Sequence, residues 1–598
     1  MGPATTGPAT RRHRDIVSPP DTDDAWPWWK DAVFYQIYPR SFCLADPEGR
    51  RRRLGLSTAT ASGHEGQAVH DVHDVHDEQE AHDTHEAHDE HEAPDRIRDG
   101  AGDLEGVRRH LDHLVWLGVD AIWLSPFYRS PMKDFGYDVS DYRAVDPLFG
   151  SMEDFDDLLA DAHDRGLRVI VDFVPNHTSD EHPWFLDARS SRESAHRDYY
   201  VWRDPDPDDA ARPPNNWRQA LGEGPAWSFD DTTGQWYLHL FLPEQPDLDW
   251  SNGAVVDEME AVLGFWLDRG VDGFRIDVVH ALGKDPALPD GPADLAVIPW
   301  SAQNDDDRTH PILRRLRRYV DSFAQEAVTV GEVFLINTAL VAKYYGEGDE
   351  LHLAFNFPPM FCPFEARCFK RRVAEVERWL GPRGAWPTWV LSSHDRPRHR
   401  TRYGGSERRA RAAAVMLLGM RGTPFLYAGE ELGLEDATIP AELVVDPGGR
   451  DGCRAPIPWD ETPEHGWALQ ARAAWLPFPP ETDERNVASL AGDDSSILHL
   501  YRRLLAHRRS TPALRRGALE LLDAPDDVLA VRRAHGAHDG DHRWVAVNFA
   551  AEAVEWAPAG GALYTAEITS GADGARSVAG TEYAGSLGPE EAVILRRS

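Results

Sequence analysis

The fold of this 598-residue chain is constrained most by a repeated alternation of helix-like segments and short apolar strands. LEGVRRHLDHLVWLG, which has helical spacing, leads into the strand-like VDAIWLSP, and FDDLLADAHDRG leads into LRVIVDFVPNHTS. Strand-like segments occur at 33–39, 119–126, 167–179, 271–280, 328–334, 351–357, 389–395 and 423–431. Apolar strands that alternate with helices are typical of a parallel sheet covered on both faces. Eight of them predict an α/β fold, a (β/α)8 TIM barrel.

An open, doubly wound sheet is the alternative arrangement of the same units. That fold usually carries a GxGxxG turn after its first strand, and VFYQIYP (33–39) is followed by none. Polar residues also end many of the strands rather than one. Both observations favour the barrel.

Composition changes along the chain predict a small inserted domain after strand 3 and a C-terminal antiparallel β-sandwich. A stretch rich in Trp, Pro and Asp follows the third strand and is too long for a simple loop. Beyond about residue 512, short alternating segments lie between Gly-rich turns. The predicted divisions are a flexible N-terminus (1–29), the barrel in two parts (30–177 and 251–511), the inserted domain (178–250) and the sandwich (512–598).

Charge and cysteine content exclude several kinds of partner. The net charge of -38 argues against nucleic acid or an anionic membrane, because phosphate repels such a surface. No apolar run reaches membrane-spanning length, and the N-terminus lacks the apolar core of a secretory signal. The cysteines, which form no CxxC pair, are Cys43, Cys362, Cys368 and Cys453. We therefore expect a reduced, cytoplasmic protein. We also expect it to be a monomer or a homodimer.

Polar residues cluster where predicted strands end, and in a barrel those ends share one face. Arg275 and Asp277 are two apart and should project together. The arginine would lower the pKa of Asp277 and keep it ionised, as a nucleophile requires. Glu332 lies among apolar neighbours in TVGEVF, which favour the protonated form that a general acid needs. Two carboxylates in different protonation states are the equipment of glycoside hydrolysis, and Asp395 would be a third.

At these strand ends the sequence resembles the α-amylase superfamily, glycoside hydrolase family 13. DFVPNHTS, GFRIDVVH, GEV and SSHD are similar to its four conserved regions. QPDLDW (245–250), DFGYDVSDY (134–142) and GRDGCRAPIPW (449–459) narrow the resemblance to the oligo-1,6-glucosidase and α-glucosidase subgroup. The similarity extends from residue 30 through the C-terminal sandwich.

The resemblance implies a catalytic role for each of three carboxylates. Asp277 matches the nucleophile that forms a covalent glucosyl intermediate, and Glu332 matches the acid that protonates the leaving oxygen and later deprotonates water. Asp395 matches the carboxylate that grips the sugar hydroxyls. Retention requires the carboxyls of Asp277 and Glu332 to lie about 5–5.5 Å apart.

The same resemblance implies a sugar-binding set around these carboxylates. Asp134 and Arg398 match a pair that closes the pocket beyond the non-reducing end, so that one glucose fits past the cleavage point. The other matching residues are the aromatic platform Tyr137 and the hydrogen-bond donors His177, Arg275 and His394. The implied activity is exo-acting release of α-glucose from short isomalto- or malto-oligosaccharides. The implied partner is a small oligosaccharide or disaccharide, with no organic cofactor.

Three positions bear on which reaction is favoured. Ser393 stands where the family usually has Asn, and Arg396 adds a positive charge beside Asp395. Val278 follows the nucleophile, as it tends to in relatives that cleave α-1,6 linkages, although valine there could also simply pack the strand end. A transglucosylase or a sugar isomerase of the trehalose or sucrose type shares the intermediate and remains an alternative. A non-catalytic member of the superfamily is less favoured, because the carboxylates are present.

A metal site is also implied by the resemblance. DRIRDGAGD (95–103) resembles the calcium loop that follows the first strand in relatives, with Asp95, Asp99, the Ala101 carbonyl and Asp103 as ligands. These oxygen donors suit Ca2+, with Mg2+ as an alternative. Ile97 replaces the usual Asn, which would weaken the site.

Residues 64–93 combine eight His with eleven acids in a three-residue period, within an apparent insertion at 44–94. The period fits neither a strand nor a helix face, so disorder is predicted. Zn or Ni binding by this tract is an alternative. A metal-storage protein built on the tract would leave the three carboxylates unexplained.

Overall fold

A computed structural model describes residues 26–45, 47–54, 100–291, 306–468, 473–536, 540–571 and 578–598. The His/Asp tract 64–93 lies outside these residues, as do Asp95 and Asp99 and most of the N-terminal segment. The predictions of disorder, of Zn or Ni binding and of a flexible N-terminus therefore stay predictions.

Eight parallel strands form the predicted barrel. Their bounds are β1 Phe34–Ile37, β2 Ala121–Leu124, β3 Arg168–Phe173, β4 Gly273–Ile276, β5 Val328–Gly331, β6 Leu353–Ala354, β7 Thr388–Val390 and β8 Thr423–Tyr427. The hydrogen-bonded order is β6-β5-β4-β3-β2-β1-β8-β7. The first strand, β1, therefore pairs with both β2 and the last strand, β8. Between β6 and β7, the Thr388 hydroxyl donates to the carbonyl of Ala354 at 2.9 Å. The barrel prediction is confirmed.

The helices cover the outer face of the barrel. They are Leu104–Arg109, Leu111–Leu117, Met152–Asp164, Gly253–Asp268, Thr309–Asp321, Thr338–Val341, Ala366–Leu380, Glu407–Gly419 and Ile497–Ser510. Met152–Asp164 begins at a capping box in which Ser151 and Asp154 satisfy each other's backbone N–H groups. The predicted helix after the first strand is two helices, because the chain breaks its helical conformation at His110.

A small antiparallel sheet lies between β3 and β4. Its strands are Trp202–Arg203, Gln235–Leu238 and Trp227–Asp230, in that order, beside the short helix Pro183–Ala188. Trp217, Trp227 and Trp236 form its core with Val278 and Ala281, which follow β4 of the barrel. The inserted sheet therefore packs directly over one barrel strand end.

The C-terminal part is antiparallel. Strands Ala518–Leu521, Val528–His535, Asp541–Asn548, Ala592–Arg597 and Tyr564–Thr569 form one sheet in that order, and Val554–Glu555 pairs with Ser586–Leu587 in a second. Leu587 of the small sheet shares a core with Val528 and Leu595 of the large one, as in a sandwich. A short helix, Pro512–Arg516, precedes these strands.

The expectation that the cysteines are reduced is wrong for one pair. Cys362 and Cys368 form a disulfide, with Cα atoms 5.7 Å apart. The 3-10 turn Pro358–Phe361 and the start of the helix at Ala366 fold the intervening residues back on themselves, and CxxC spacing does not detect such a pair. Cys43 and Cys453 are free, buried thiols. No helix in the described part of the chain is long and apolar enough to cross a membrane. Cytoplasmic location stays a prediction.

Candidate active site

A cavity of about 500 Å³ opens at the C-terminal ends of the barrel strands. Its walls include nearly all the residues that the sequence singled out for catalysis and sugar binding, with Arg398 as the exception. The members of that set are Asp134, Tyr137, His177, Arg275, Asp277, Glu332, His394 and Asp395. Strand ends that are far apart in sequence thus converge on one pocket, as the barrel geometry requires.

One buried arginine organises the carboxylates. Arg275 Nη1 donates to Asp172 Oδ1 at 2.6 Å and to Asp277 Oδ1 at 2.5 Å, and Nη2 donates to Glu332 Oε2 at 2.6 Å. The guanidinium faces the rings of Trp123 and Tyr137. These contacts hold Asp277 and Glu332 against one planar cation.

The predicted lowering of the Asp277 pKa is wrong in direction. Burial raises the pKa of Asp277 well above its usual range, and the Arg275 charge does not offset this. The negative charges of Glu332 and Asp172 raise the pKa of Asp277 further. Burial also raises the pKa of Asp172 to about 6. Three carboxyls share one cation in a desolvated site, so burial and the neighbouring negative charges both favour the protonated form of Asp277.

His394 is held in one orientation by polar and aromatic neighbours. Gln36 Nε2 lies 2.6 Å from His394 Nδ1 and can only donate, which leaves the hydrogen on Nε2. That Nε2 lies 2.6 Å from the Tyr137 hydroxyl and 3.2 Å from Asp395 Oδ2. Tyr137 and Tyr38 stack on the imidazole ring. Burial lowers the pKa of His394 to about 3, so it is neutral at physiological pH.

The structure replaces the predicted Asp134–Arg398 pair with Asp134–Arg450. Arg450 Nη2 donates to Asp134 Oδ1 at 2.6 Å and Nη1 donates to Asp395 Oδ1 at 3.2 Å. Arg398 instead points into the barrel wall, where it donates to the carbonyl of Ala428 at 2.7 Å. Its backbone precedes the short helix His399–Arg402, and its guanidinium lies over the Tyr427 ring. Arg450 was within the motif GRDGCRAPIPW, so a signal for it was present.

A second arginine of that motif, Arg454, also went unpredicted. Its Nη2 lies 3.1 Å from Asp395 Oδ1, and its Nε donates to the carbonyl of His394 at 2.8 Å. Burial alone would raise the pKa of Asp395, but His394 and the arginines that contact it hold that pKa well below its usual range. Asp395 is therefore ionised throughout the physiological pH range.

Toward solvent the cavity wall becomes apolar. Phe334, Ile336 and Phe361 line it, and Ile336 and Phe361 are 49% and 44% exposed. The Arg396 guanidinium faces the rings of Phe334 and Phe361 at 4.9 and 5.3 Å. Sequence reasoning noted Arg396 but not its aromatic partners, which come from two other strand ends.

Val278 has an unusual backbone conformation. Its φ of 42° lies in the left-handed region, which β-branched residues rarely adopt. This conformation directs its N–H toward Glu332 Oε2 at 3.2 Å. The Val278 side chain packs with the core of the inserted sheet, as the packing interpretation predicts. The backbone of the same residue lies beside the predicted acid, Glu332.

The described end of the metal loop does not fit a cation. Arg50 Nη1 donates to the Ala101 carbonyl at 2.5 Å, and Arg50 Nη2 lies 3.4 Å from Asp103 Oδ2. These are oxygens that the calcium prediction assigns to the ion, and a guanidinium on them repels a second positive charge.

The fold and pocket define a class, the TIM-barrel proteins that bind small polar ligands at the C-terminal strand ends. Comparison with known proteins defines the family. The family described as "Alpha amylase, catalytic domain" matches residues 36–517. The chain belongs to the alpha-amylase family, in its oligo-1,6-glucosidase and alpha-glucosidase subgroup.

Individual relatives are similar over most of their length. A probable alpha-glucosidase of Rhizobium meliloti (strain 1021) is 40% identical over 550 residues, covering 86% of this chain and 88% of that protein. An oligo-1,6-glucosidase of Parageobacillus thermoglucosidasius is 33% identical over 548 residues, covering 84% and 87%. Among solved structures, the alpha-glucosyl transfer enzyme XgtA has a TM-score of 0.79 and 36% identity, covering 96% of this chain and 100% of that one. The trehalulose synthase MutB from Pseudomonas mesoacidophila MX-45 has a TM-score of 0.78 and 32% identity, covering 96% and 100%.

Proposed function

We propose that this protein is a retaining, exo-acting α-glucosidase that hydrolyses short α-glucosides through a covalent glucosyl–Asp277 intermediate. The observation that carries the proposal is the attachment of Asp277 and Glu332 to the two ends of one guanidinium. Two neighbouring carboxylates are the groups that hydrolysis of a glycosidic bond with retention requires. Relatives named alpha-glucosidase and oligo-1,6-glucosidase support the same conclusion.

The proposed chemistry needs a proton on Glu332 and an ionised Asp277, and the hydrogen bond between the two carboxyls lets a proton held by Asp277 pass to Glu332 before the sugar reacts. Glu332 delivers it to the leaving oxygen while the Asp277 carboxylate attacks the anomeric carbon. The bond from that carbon to the leaving group breaks as the bond to Asp277 forms. Water, deprotonated by Glu332, then releases glucose and restores both groups. Ionised Asp395 and neutral His394 hold the sugar hydroxyls as the ring flattens.

The closed end of the pocket supports exo action. Asp134 and Arg450 both line the cavity and form an ion pair at 2.6 Å, and Gln245 donates to Asp134 Oδ2 at 3.1 Å. We assign this pair to the side that receives the non-reducing end, from the match of Asp134 to the family's residue there. A chain extending beyond one glucose would have to break this buried pair. Short substrates are therefore favoured over internal positions of a polymer.

We further propose a preference for α-1,6 linkages. Val278 lies beside the acid, with its N–H 3.2 Å from Glu332 Oε2, and relatives in three bacteria are named oligo-1,6-glucosidase. Glucose release from isomaltose and maltose, measured side by side with an Asp277→Asn control, tests both proposals. Faster isomaltose cleavage that the variant loses supports them. Faster maltose cleavage keeps the mechanism and discards the linkage preference.

A transglucosylase or sugar isomerase is the second candidate, and the apolar cavity mouth favours it. Phe334, Ile336 and Phe361 offer few groups to bind water, whereas a sugar or alcohol acceptor could pack against them. The solved relatives include an alpha-glucosyl transfer enzyme and a trehalulose synthase. Product analysis of isomaltose and sucrose reactions separates the candidates, because hydrolysis alone gives no new glycosidic bond.

A further inference from the structure

Arg50 is a buried cation in the segment between β1 and the predicted metal loop. It lies in the helix Pro47–Arg53, within the apparent insertion at 44–94. Its side chain is 1% exposed, as is that of Asp103. Nη1 donates to the Ala101 carbonyl at 2.5 Å, and Nη2 donates to the Gly102 carbonyl at 3.1 Å and to Asp103 Oδ2 at 3.4 Å.

The other oxygen of Asp103 is also used within the fold. Oδ1 accepts the backbone N–H of Ala45 at 3.1 Å and that of Gly106 at 2.7 Å, the second bond capping the helix Leu104–Arg109. The loop backbone joins the residues that follow β1, because Gly102 N donates to the Arg40 carbonyl at 2.6 Å. A Cβ on Gly102 would lie 2.2 Å from the Pro39 carbonyl oxygen. This end of the loop is therefore closely packed.

A cation and Arg50 compete for the same atoms. Calcium in proteins takes six to eight oxygens at about 2.3–2.6 Å, and carbonyl and carboxylate oxygens are its usual donors. Arginine keeps its charge at any physiological pH and presents several N–H groups in a plane, which suits adjacent carbonyl and carboxylate oxygens. Both would neutralise Asp103, but they cannot do so together.

We propose that Arg50 takes the structural place of the loop cation, so that the Ala101–Asp103 end of the loop is stabilised by a guanidinium and requires neither Ca2+ nor Mg2+. Arg50 belongs to the insertion, so the insertion itself supplies the positive charge that the cation would otherwise provide. Arg50 does not approach the reacting atoms and acts as a positioning residue. It fixes the loop to the segment after β1, where Tyr38 stacks on His394.

Thermal unfolding of the full chain tests the proposal. The wild type, freed of metal with EDTA, is compared with the same protein in millimolar CaCl2. A ligand raises the Tm only if it binds the folded state. Because we expect no Ca2+ to bind at this loop, the Tm should change by less than about 1 °C. Arg50→Ala should lower the Tm by several degrees. Arg52→Ala is the matched control, because Arg52 is exposed on the same helix and should leave the Tm unchanged.

A lysine variant keeps the test decisive if Arg50→Ala does not fold. Arg50→Lys retains the charge but not the planar set of donors, so its Tm should be lower than that of the wild type and of Arg52→Ala, and should remain insensitive to CaCl2. The proposal is overturned if CaCl2 raises the wild-type Tm by several degrees, or if EDTA lowers it. It is equally overturned if Arg50→Ala and Arg50→Lys unfold at the same temperature as Arg52→Ala.

Discussion

Replacing Arg450 with alanine should reduce glucosidase activity about 100-fold. The side chain is 13% exposed and contacts both Asp134 and Asp395, at 2.6 and 3.2 Å. Without these contacts Asp134 and Asp395 can move from the positions in which they would hold the sugar. A misplacement of about 1 Å can cost roughly 10²-fold in kcat/KM, which is about 3 kcal/mol.

The assay is the initial rate on isomaltose and on 4-nitrophenyl α-glucoside, with Arg398→Ala as the matched control. Arg398 is an arginine close in sequence to the same carboxylate, but it bonds to the Ala428 carbonyl and lies over the Tyr427 ring. Its loss should lower the Tm and leave kcat/KM within a few-fold of the wild type. Loss of activity in a folded Arg398→Ala protein, with normal activity in Arg450→Ala, would refute the assignment of the pocket end to Arg450.

Three other outcomes are expected. Glu332→Gln should abolish isomaltose cleavage but retain formation of the intermediate from 4-nitrophenyl α-glucoside, because that leaving group needs no acid. A burst of 4-nitrophenol would show the intermediate, and equal loss of activity on both substrates would contradict the assignment. Burial lowers the pKa of His352 to about 3, below its unfolded value, so the stability it contributes at neutral pH is lost as pH falls below about 6.5. Between pH 7 and 5 this amounts to about 2 kcal/mol, and denaturant titrations should show that His352→Gln reduces the pH dependence by that amount. Thiol titration of the unfolded, unreduced chain should find two thiols rather than four, because Cys362 and Cys368 are paired.

The sequence allowed the barrel and most of the pocket to be predicted because both depend on strand ends. Arg275 lies at the end of an apolar strand, Asp277 and Glu332 follow such strands directly, and parallel strands place their carboxyl ends on one face whatever the loops do. Arg398 and Arg450 lie outside the barrel strands, where spacing does not reveal side-chain direction, so the sequence does not distinguish which of them contacts Asp134. The Asp277 pKa was predicted from its neighbour in sequence alone. Asp172 and Glu332, which raise it, come from other strands.

The arginines of this chain indicate why a guanidinium can substitute for a structural ion. Several are fully buried and bind backbone carbonyl oxygens at chain turns. Arg508 donates to the carbonyls of Leu418, Met420 and Gly422, and Arg533 donates to those of Gly419 and Gly517. Arg50 on Ala101 and Gly102 has the same arrangement, with Asp103 added. If Arg50 replaces the loop cation, as proposed, it orders one more turn by the same kind of contact. The same chemistry, with carboxylates in place of carbonyls, orders the active site around Arg275.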